Sequence, residues 1–178
     1  MKTRNELGDL FTARGYSLAV EVGVHRGEFS EVILSRWPGI LYMVDRWKHV
    51  DGYEDIANVS DSDHVACMEA AKKVCARHAD RGICFMASSL GAASCTKDGW
   101  FDAVYIDADH SKAGVLADLQ AWVPKVRSGG VIAGHDYLDG VLDEGVFGVK
   151  SAVLEFFGRE PDIVTDEKWP TWLYEVRA

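Results

Sequence analysis

Continuous apolar runs alternate with segments of helical spacing along most of this chain, and polar residues stand where the runs stop. The clearest unit spans residues 101–137. Residues 103–106 and 130–133 are predicted to be buried strands, and residues 112–123 between them carry apolar side chains at helical spacing. This strand–helix–strand pattern predicts two parallel strands whose carboxyl ends share one edge of a sheet.

The same two periodicities predict further elements on both sides of this unit. Strands are predicted over residues 17–24, 40–44, 83–87, 162–165 and 172–176, and helices over residues 2–14, 28–37, 63–79 and 146–157. This alternation predicts an α/β protein with a doubly wound, mostly parallel, seven-stranded sheet and helices on both faces. The last two strands, residues 162–165 and 172–176, predict an antiparallel C-terminal hairpin strand at one edge of the sheet.

Two long polar stretches interrupt this pattern. Residues 46–63 are predicted to form a lid or substrate loop, since they are too many for a simple turn. Residues 137–145 are predicted to be an acidic loop.

Length, composition and charge exclude several classes of protein for this chain. A chain of 178 residues predicts one domain covering residues 1–178. The net charge of −9, without clustered Lys and Arg, argues against a nucleic acid partner. No segment approaches the roughly 20 apolar residues of a membrane span, and the N-terminus lacks the apolar run of a secretory signal. The four cysteines lack CxxC spacing and predict free thiols, so the protein is expected to be cytoplasmic, with no membrane partner.

The first predicted strand-to-helix turn carries a candidate ligand site. Gly23 and Gly27 let a ligand approach the backbone and face the helix N-terminus. The dinucleotide pattern GxGxxG is broken, because His25 stands at its middle glycine. What remains is ExGxxxG followed by Asp45, which is suited to accept hydrogen bonds from both hydroxyls of a ribose. Close packing for the glycines and a capping or surface role for Asp45 are the alternatives.

These features resemble the class I S-adenosylmethionine-dependent methyltransferases. AVEVGVHRG is similar to their first motif, Asp45 to their ribose-binding acid, and VPKVRSGGVIAGHD to their fifth strand with its preceding glycine pair. The resemblance covers essentially the whole chain and implies a Rossmann-like fold with S-adenosyl-L-methionine as cofactor. The cofactor-binding residues that it implies are Glu21, Gly23, Gly27, Asp45, Arg46, Ser88, Ser89 and Asp107.

Two polar clusters follow the strands of the central unit, and they predict a metal-dependent site. Two carboxylates and two imidazoles should converge there, because parallel strands end at one edge. Asp107, His135 and Asp136 are predicted to bind a divalent metal, Mg²⁺ or Mn²⁺, and His110 to act as the general base. A helix cap for Asp107, a solvated position for His110 and a simple turn at residues 135–136 are the alternatives.

This cluster resembles that of metal-dependent O-methyltransferases of the catechol and caffeoyl-coenzyme A type. They carry an acid, a base three residues on, and an acid–amide pair after the fifth strand. The chain departs from them in two places, with His110 in place of lysine and His135-Asp136 in place of Asp-Asn. Both departures are closer to sugar O-methyltransferases, whose base is also histidine. An imidazole ligand leaves the choice of metal open.

The sequence therefore predicts an enzyme that methylates a hydroxyl of a small molecule, a sugar, polyol or phenol. A metal-dependent hydrolase or oxygenase that uses Asp107, His135 and Asp136 is the alternative, and a non-catalytic module for an adenosine ligand is a third. The chain is close to a minimal methyltransferase core, so selectivity must come from loops or from a neighbouring subunit. A homodimer is therefore one of the open alternatives.

Overall fold

The computed structural model of the chain describes residues 1–53 and 55–177. Glu54, within the predicted loop of residues 46–63, and Ala178, the last residue of the predicted domain, lie outside the described residues. The strands are β1 (Leu18–Val22), β2 (Ile40–Asp45), β3 (Gly82–Met86), β4 (Phe101–Ile106), β5 (Val126–Gly134), β6 (Asp139–Leu142), β7 (Gly145–Gly148), β8 (Ile163–Val164) and β9 (Trp172–Glu175).

The main sheet has seven strands in the order β3-β2-β1-β4-β5-β9-β8. The strands β1 to β5 pair in parallel, whereas β9 pairs antiparallel with both β5 and β8. The order reverses after β1, so the ends of β1 and β4 form the crevice in which open α/β sheets bind ligands. The prediction of a doubly wound, mostly parallel sheet with an antiparallel C-terminal hairpin strand is confirmed.

Three of the α-helices begin at serines that cap them. They are α1 (Leu7–Ala13), α2 (Glu28–Arg36), α3 (Asp61–Arg77), α4 (Ser89–Ser94), α5 (Lys112–Trp122) and α6 (Val149–Phe157), with 3₁₀ turns at Arg4–Glu6 and Val123–Lys125. The side chains of Ser60, Ser88 and Ser111 each accept a hydrogen bond from a backbone N–H in the first turn of α3, α4 and α5. Such N-caps fix where each helix starts.

Side chains of alternate residues along β4 fill two cores, one on each face of the sheet. Ala103 and Tyr105 pack with residues of α1, α2 and α3. Val104 and Ile106 pack with residues of α4, α5 and α6. The β4 strand is therefore buried on both sides, as its continuous apolar run predicts, and the helices lie on both faces. In the described part of the chain, no helix combines the length and apolarity needed to cross a membrane.

A second, two-stranded sheet lies where the sequence predicted an acidic loop over residues 137–145 and the first turn of a helix over residues 146–157, and that helix begins at Val149 instead. The strands β6 and β7 form an antiparallel hairpin in which Asp139 pairs with Gly148. Phe147 anchors the hairpin, since it is buried on the body of the protein. Residues 46–60, between β2 and α3, are called the covering segment below. Asp55 forms a β-bridge with Gly145 at the hairpin, so the covering segment and the hairpin support one another.

Candidate active site

A cavity of about 270 Å³ lies between the carboxyl ends of the central strands and the covering segment. This is the sheet edge at which the polar clusters of the sequence were expected to meet. Its wall includes Gly23 and His25 of the first turn, Asp45 at the end of β2, Arg46, Lys48, Tyr53 and Asp55 of the covering segment, and Asp107 and Asp109 after β4.

His64, in the first turn of α3, also lines this cavity. The residue is buried, and neither of its ring nitrogens has a hydrogen-bond partner among residues 1–53 and 55–177. A buried polar group without a partner costs about 1–3 kcal/mol. The wall therefore keeps hydrogen-bonding capacity that a polar ligand can use.

The two glycines of the first turn have different surroundings. Gly23 has a φ of 89°, and a Cβ there would overlap the carbonyl oxygen of Asp107. Gly27 has a φ of 78°, but its Cα faces α3, where a Cβ would lie 3.1 Å from both Ala71 and Val74. Gly23 thus lies at the cavity, and Gly27 allows close helix packing behind it.

Glu21 lies beneath the turn rather than in the cavity wall. The residue is 1% exposed, and its carboxyl group accepts a hydrogen bond from the hydroxyl of Ser30 in α2. Burial raises the pKa of Glu21 to about 8, against the opposing effect of the Ser30 hydrogen bond. The group is therefore largely protonated at neutral pH and joins β1 to α2.

Asp45 organises the loops on both sides of the cavity. One of its carboxylate oxygens accepts from the backbone N–H groups of Val24 and His25, at 2.9 and 2.8 Å. The other accepts from the N–H of Trp47 at 2.7 Å. His25 and Trp47 have positive φ values of 50° and 41°, a conformation that non-glycine residues adopt only when it is held. A carboxylate has about four acceptor positions, so roughly one is left for a ligand.

Neither of the two serines after β3 lines this cavity. Ser88 caps α4 and faces a neighbouring open groove that Arg46 also lines. The hydroxyl of Ser89 donates to Asp118 and accepts from the indole N–H of Trp122 at 2.8 Å. Ser89 is therefore occupied by contacts within the protein, and its hydrogen bond opposes the burial that raises the pKa of Asp118 to about 6.

The polar clusters after β4 and β5 converge. The Nε2 of His110 lies 3.5 Å from Asp107 and 3.2 Å from Asp136. The Nδ1 of His135 lies 3.1 Å from Asp136 and 3.7 Å from Asp107. All four side chains are largely buried, and Asp136 has a positive φ of 53°. Strained backbone of this kind often marks a functional site.

The sequence profile of a family described as a methyltransferase domain matches residues 20–137, which is more than half of the chain. The chain belongs to this methyltransferase family. The resemblance to class I S-adenosylmethionine-dependent methyltransferases is thereby confirmed, and so is the prediction of an enzyme of this type. No curated protein matches the chain.

Several solved structures share the fold of this methyltransferase. Cofactor-bound Rv0187 from MTB is 22% identical, with a TM-score of 0.70 over 98% of this chain and 79% of that one. An O-methyltransferase from Bacillus cereus in complex with SAH is 17% identical, with a TM-score of 0.66 over 96% and 79%. The N-methyltransferase NodS from Bradyrhizobium japonicum WM9 is 10% identical, with a TM-score of 0.65 over 98% and 95%. The same fold thus serves oxygen and nitrogen acceptors.

Electrostatics in this methyltransferase favour a charged His110. Burial alone would lower its pKa, but hydrogen bonds to Asp107 and Asp55 and the charges of Asp107 and Asp136 outweigh burial and raise the pKa to about 10. Burial opposes ionisation of Asp107, yet the two histidines and Arg4 hold its pKa below the usual range. At neutral pH the cluster is therefore an imidazolium among carboxylates.

Two residues at this site had no specific role in the sequence prediction. Arg4, from the N-terminal 3₁₀ turn, lies 3.4 Å from Asp107 and stacks over the ring of Phe29. Asp55, from the covering segment, lies 2.8 Å from the Nδ1 of His110. Only the unusual length of the predicted loop at residues 46–63 indicated that the segment around Asp55 contributes to the site.

Proposed function

We propose that this methyltransferase transfers the methyl group of S-adenosyl-L-methionine to a hydroxyl group of a small molecule, a sugar, polyol or phenol. The reaction would use a divalent metal and a histidine base. One observation carries the proposal: two carboxylates and two imidazoles meet beside the glycine turn. Asp107 belongs both to that cluster and to the cavity wall, so a cofactor there would lie next to the cluster.

The cofactor is proposed to contact Gly23, Asp45, Arg46 and Asp107 directly. Gly23 lines the cavity, and the free acceptor position of Asp45 suits a ribose hydroxyl. Glu21 and Gly27 would support the turn from behind. Ser88 and Ser89 follow β3, and the groove beside Ser88 and Arg46 is the proposed direction for the adenine.

The donor set fits a divalent cation. One donor atom each from Asp107, His110 and Asp136 lie within 4.8 Å of one another. This group contains His110 where the sequence prediction has His135. The Nδ1 of His135 lies 3.1 Å from Asp136 and 3.7 Å from Asp107, and we propose that Asp107, His135 and Asp136 hold the ion, which leaves His110 free. Carboxylates suit Mg²⁺, whereas an imidazole favours Mn²⁺ or another transition metal. When bound, such an ion lowers the pKa of a hydroxyl group beside it.

His110 would act as the base. Its Nε2 would take the proton of the acceptor hydroxyl as that oxygen is methylated. The cofactor, when bound, would supply the methyl group, and its sulfur would keep the electron pair of the carbon–sulfur bond that breaks. A general base must be unprotonated, but the carboxylates around His110 raise its pKa to about 10. The role therefore requires a positive charge beside Asp107 and Asp136 that offsets their effect.

The acceptor is proposed to be small because the cavity is only about 270 Å³. The net charge of −9 would repel a nucleic acid, so we propose none as a partner. Cytoplasmic location and a homodimer stay predictions of the sequence.

The alternative of a metal-dependent hydrolase or oxygenase uses the same three residues, Asp107, His135 and Asp136. No separate observation favours it, and membership of the methyltransferase family favours methyl transfer.

Calorimetric titration tests the proposal. S-adenosylmethionine is titrated into the purified protein with Mg²⁺, with Mn²⁺ and after chelation, and we expect micromolar binding of one molecule per chain. Incubation with panels of sugars, polyols and phenols, followed by mass spectrometry, should show a product heavier by one methyl group only when metal is present. Absence of cofactor binding under every condition would refute the proposal, and a product formed equally well after chelation would remove the metal from it.

A further inference from the structure

His110 is held by a third carboxylate that comes from a separate part of the chain. Its Nε2 faces Asp107 and Asp136, which follow β4 and β5, whereas its Nδ1 lies 2.8 Å from Asp55 of the covering segment. The side chain of Asp55 is 5% exposed. A carboxylate buried to this degree is stable only when it has hydrogen-bond or charge partners.

The position of the Asp55 carboxylate is well defined by its neighbours. One oxygen accepts from the backbone N–H of Ala57 at 2.7 Å, and the other lies 3.3 Å from the hydroxyl of Tyr53. That hydroxyl also contacts the carbonyl oxygen of Ala108 at 3.3 Å and accepts from the N–H of His110 at 3.2 Å. The covering segment is thereby attached to the backbone on which His110 stands.

The plane of the His110 ring is set by a different contact. The ring stacks on Phe147 with centroids 5.0 Å apart and planes inclined by 16°. Stacking fixes the plane but does not decide which nitrogen faces which way. A hydrogen bond to Asp55 decides it, because Nδ1 must then carry a proton and Nε2 must face the cluster.

We propose that Asp55 is the positioning residue for His110, so that the folding of the covering segment over the cavity and the orientation of the base are one event. This inference rests on the proposed role of His110, but not on the identity of the acceptor. A carboxylate that orients an imidazole in this way is a recurrent arrangement, both in catalytic triads and behind metal-bound histidines. Asp55 itself need not touch the substrate.

The test compares Asp55→Ala with Asp51→Ala. Asp51 lies in the same segment, its side chain is fully exposed, and its carboxylate lies 3.6 Å from the Nε2 of His49. Both variants lose one carboxylate from the covering segment, so they are matched in charge. Two-bond proton–nitrogen NMR spectra from the ring carbon protons report both nitrogens of each histidine without needing a visible N–H, and His110→Gln assigns the His110 signals.

We expect Asp55→Ala to shift the Nδ1 signal of His110 and Asp51→Ala to leave it in place, at one fixed pH. Urea unfolding of both variants separates this signature from a general loss of stability. Unchanged His110 nitrogen signals in folded Asp55→Ala would overturn the proposal, as would an equal shift in Asp51→Ala. A failure of the proposed function would look different: the wild-type protein would bind no S-adenosylmethionine, whereas the NMR shift in Asp55→Ala would still be seen.

Discussion

Gly23 and Asp107 meet through their backbones, since a Cβ at position 23 would overlap the carbonyl oxygen of Asp107 and lie 2.9 Å from the Cα of Ala108. The backbone N–H of Asp107 also donates to the carbonyl of Val22 at 2.7 Å. The glycine turn after β1 and Asp107 after β4 are therefore parts of one rigid unit.

Gly23→Ala should destabilise the protein by more than the cost of placing alanine at a positive φ. Alanine at a positive φ costs about 1 kcal/mol, and overlap with fixed backbone adds about 1–3 kcal/mol or more. Gly15→Ala is the matched control, because Gly15 has a φ of 66° and open space where its Cβ would lie. Urea unfolding should rank Gly23→Ala clearly below Gly15→Ala, and calorimetry should show loss of cofactor binding only in Gly23→Ala. Equal stabilities would mean that the turn can move away from Asp107.

Glu21→Gln should change how stability depends on pH. The pKa of Glu21 is raised from 4.5 to about 8 in the folded protein, so between these values the folded state holds a proton that the unfolded state has lost. Stability from this group is complete below about pH 4.5 and declines as the pH rises to 8. Each pKa unit corresponds to about 1.4 kcal/mol. Urea unfolding from pH 5 to 9 should show a smaller decline in Glu21→Gln than in the wild type, and parallel curves would contradict the raised pKa.

His110→Ala should lower turnover about 10²–10⁴-fold, the usual contribution of a general base. Affinity for S-adenosylmethionine and for Mn²⁺ should stay nearly intact, since the proposed ligands Asp107, His135 and Asp136 remain. Calorimetric titration with S-adenosylmethionine and with Mn²⁺ distinguishes a base from a ligand of the metal or the cofactor. Loss of Mn²⁺ binding would make His110 a metal ligand, and loss of cofactor binding would make it part of the cofactor site.

Asp136→Asn should weaken Mn²⁺ binding by roughly tenfold or more, because it removes one of two carboxylate ligands. Asparagine tolerates the positive φ of 53° at this position, so the backbone should be preserved. Asp143→Asn, at the turn between β6 and β7, is a control with the same charge change away from the cluster. Equal Mn²⁺ affinity in the two variants, measured by electron paramagnetic resonance, would place the metal elsewhere.

The meeting of Asp107, His110, His135 and Asp136 could be predicted from the sequence for a simple reason. The apolar runs of β4 and β5 are continuous, a helix joins them, and parallel strands place whatever follows them at one edge. The same logic placed Asp45 and Gly23 at that edge. The positions of these residues follow from the local sequence of each strand and from the way parallel strands are connected.

Other features depend on contacts between distant segments. The sequence predicts a loop where β6 lies and the start of a helix at residues 146–148 of β7, and only the burial of Phe147 and the pairing of the two strands reveal the hairpin. The engagement of Ser89 by Trp122 and Asp118 follows from the packing of α4 on α5. Arg4 reaches Asp107 across more than a hundred residues of chain, and no local pattern announces such a contact.

The origin of Asp55 in the covering segment constrains how this enzyme can be given a new acceptor. That segment is the natural part to exchange, since it forms one wall of the cavity without belonging to the sheet. A chimera that receives a segment lacking a carboxylate at residue 55 would acquire a new wall and lose the partner of its own histidine. A change of the cavity wall would then also change the orientation of His110, so a library built on this scaffold should vary the segment around a fixed Asp55.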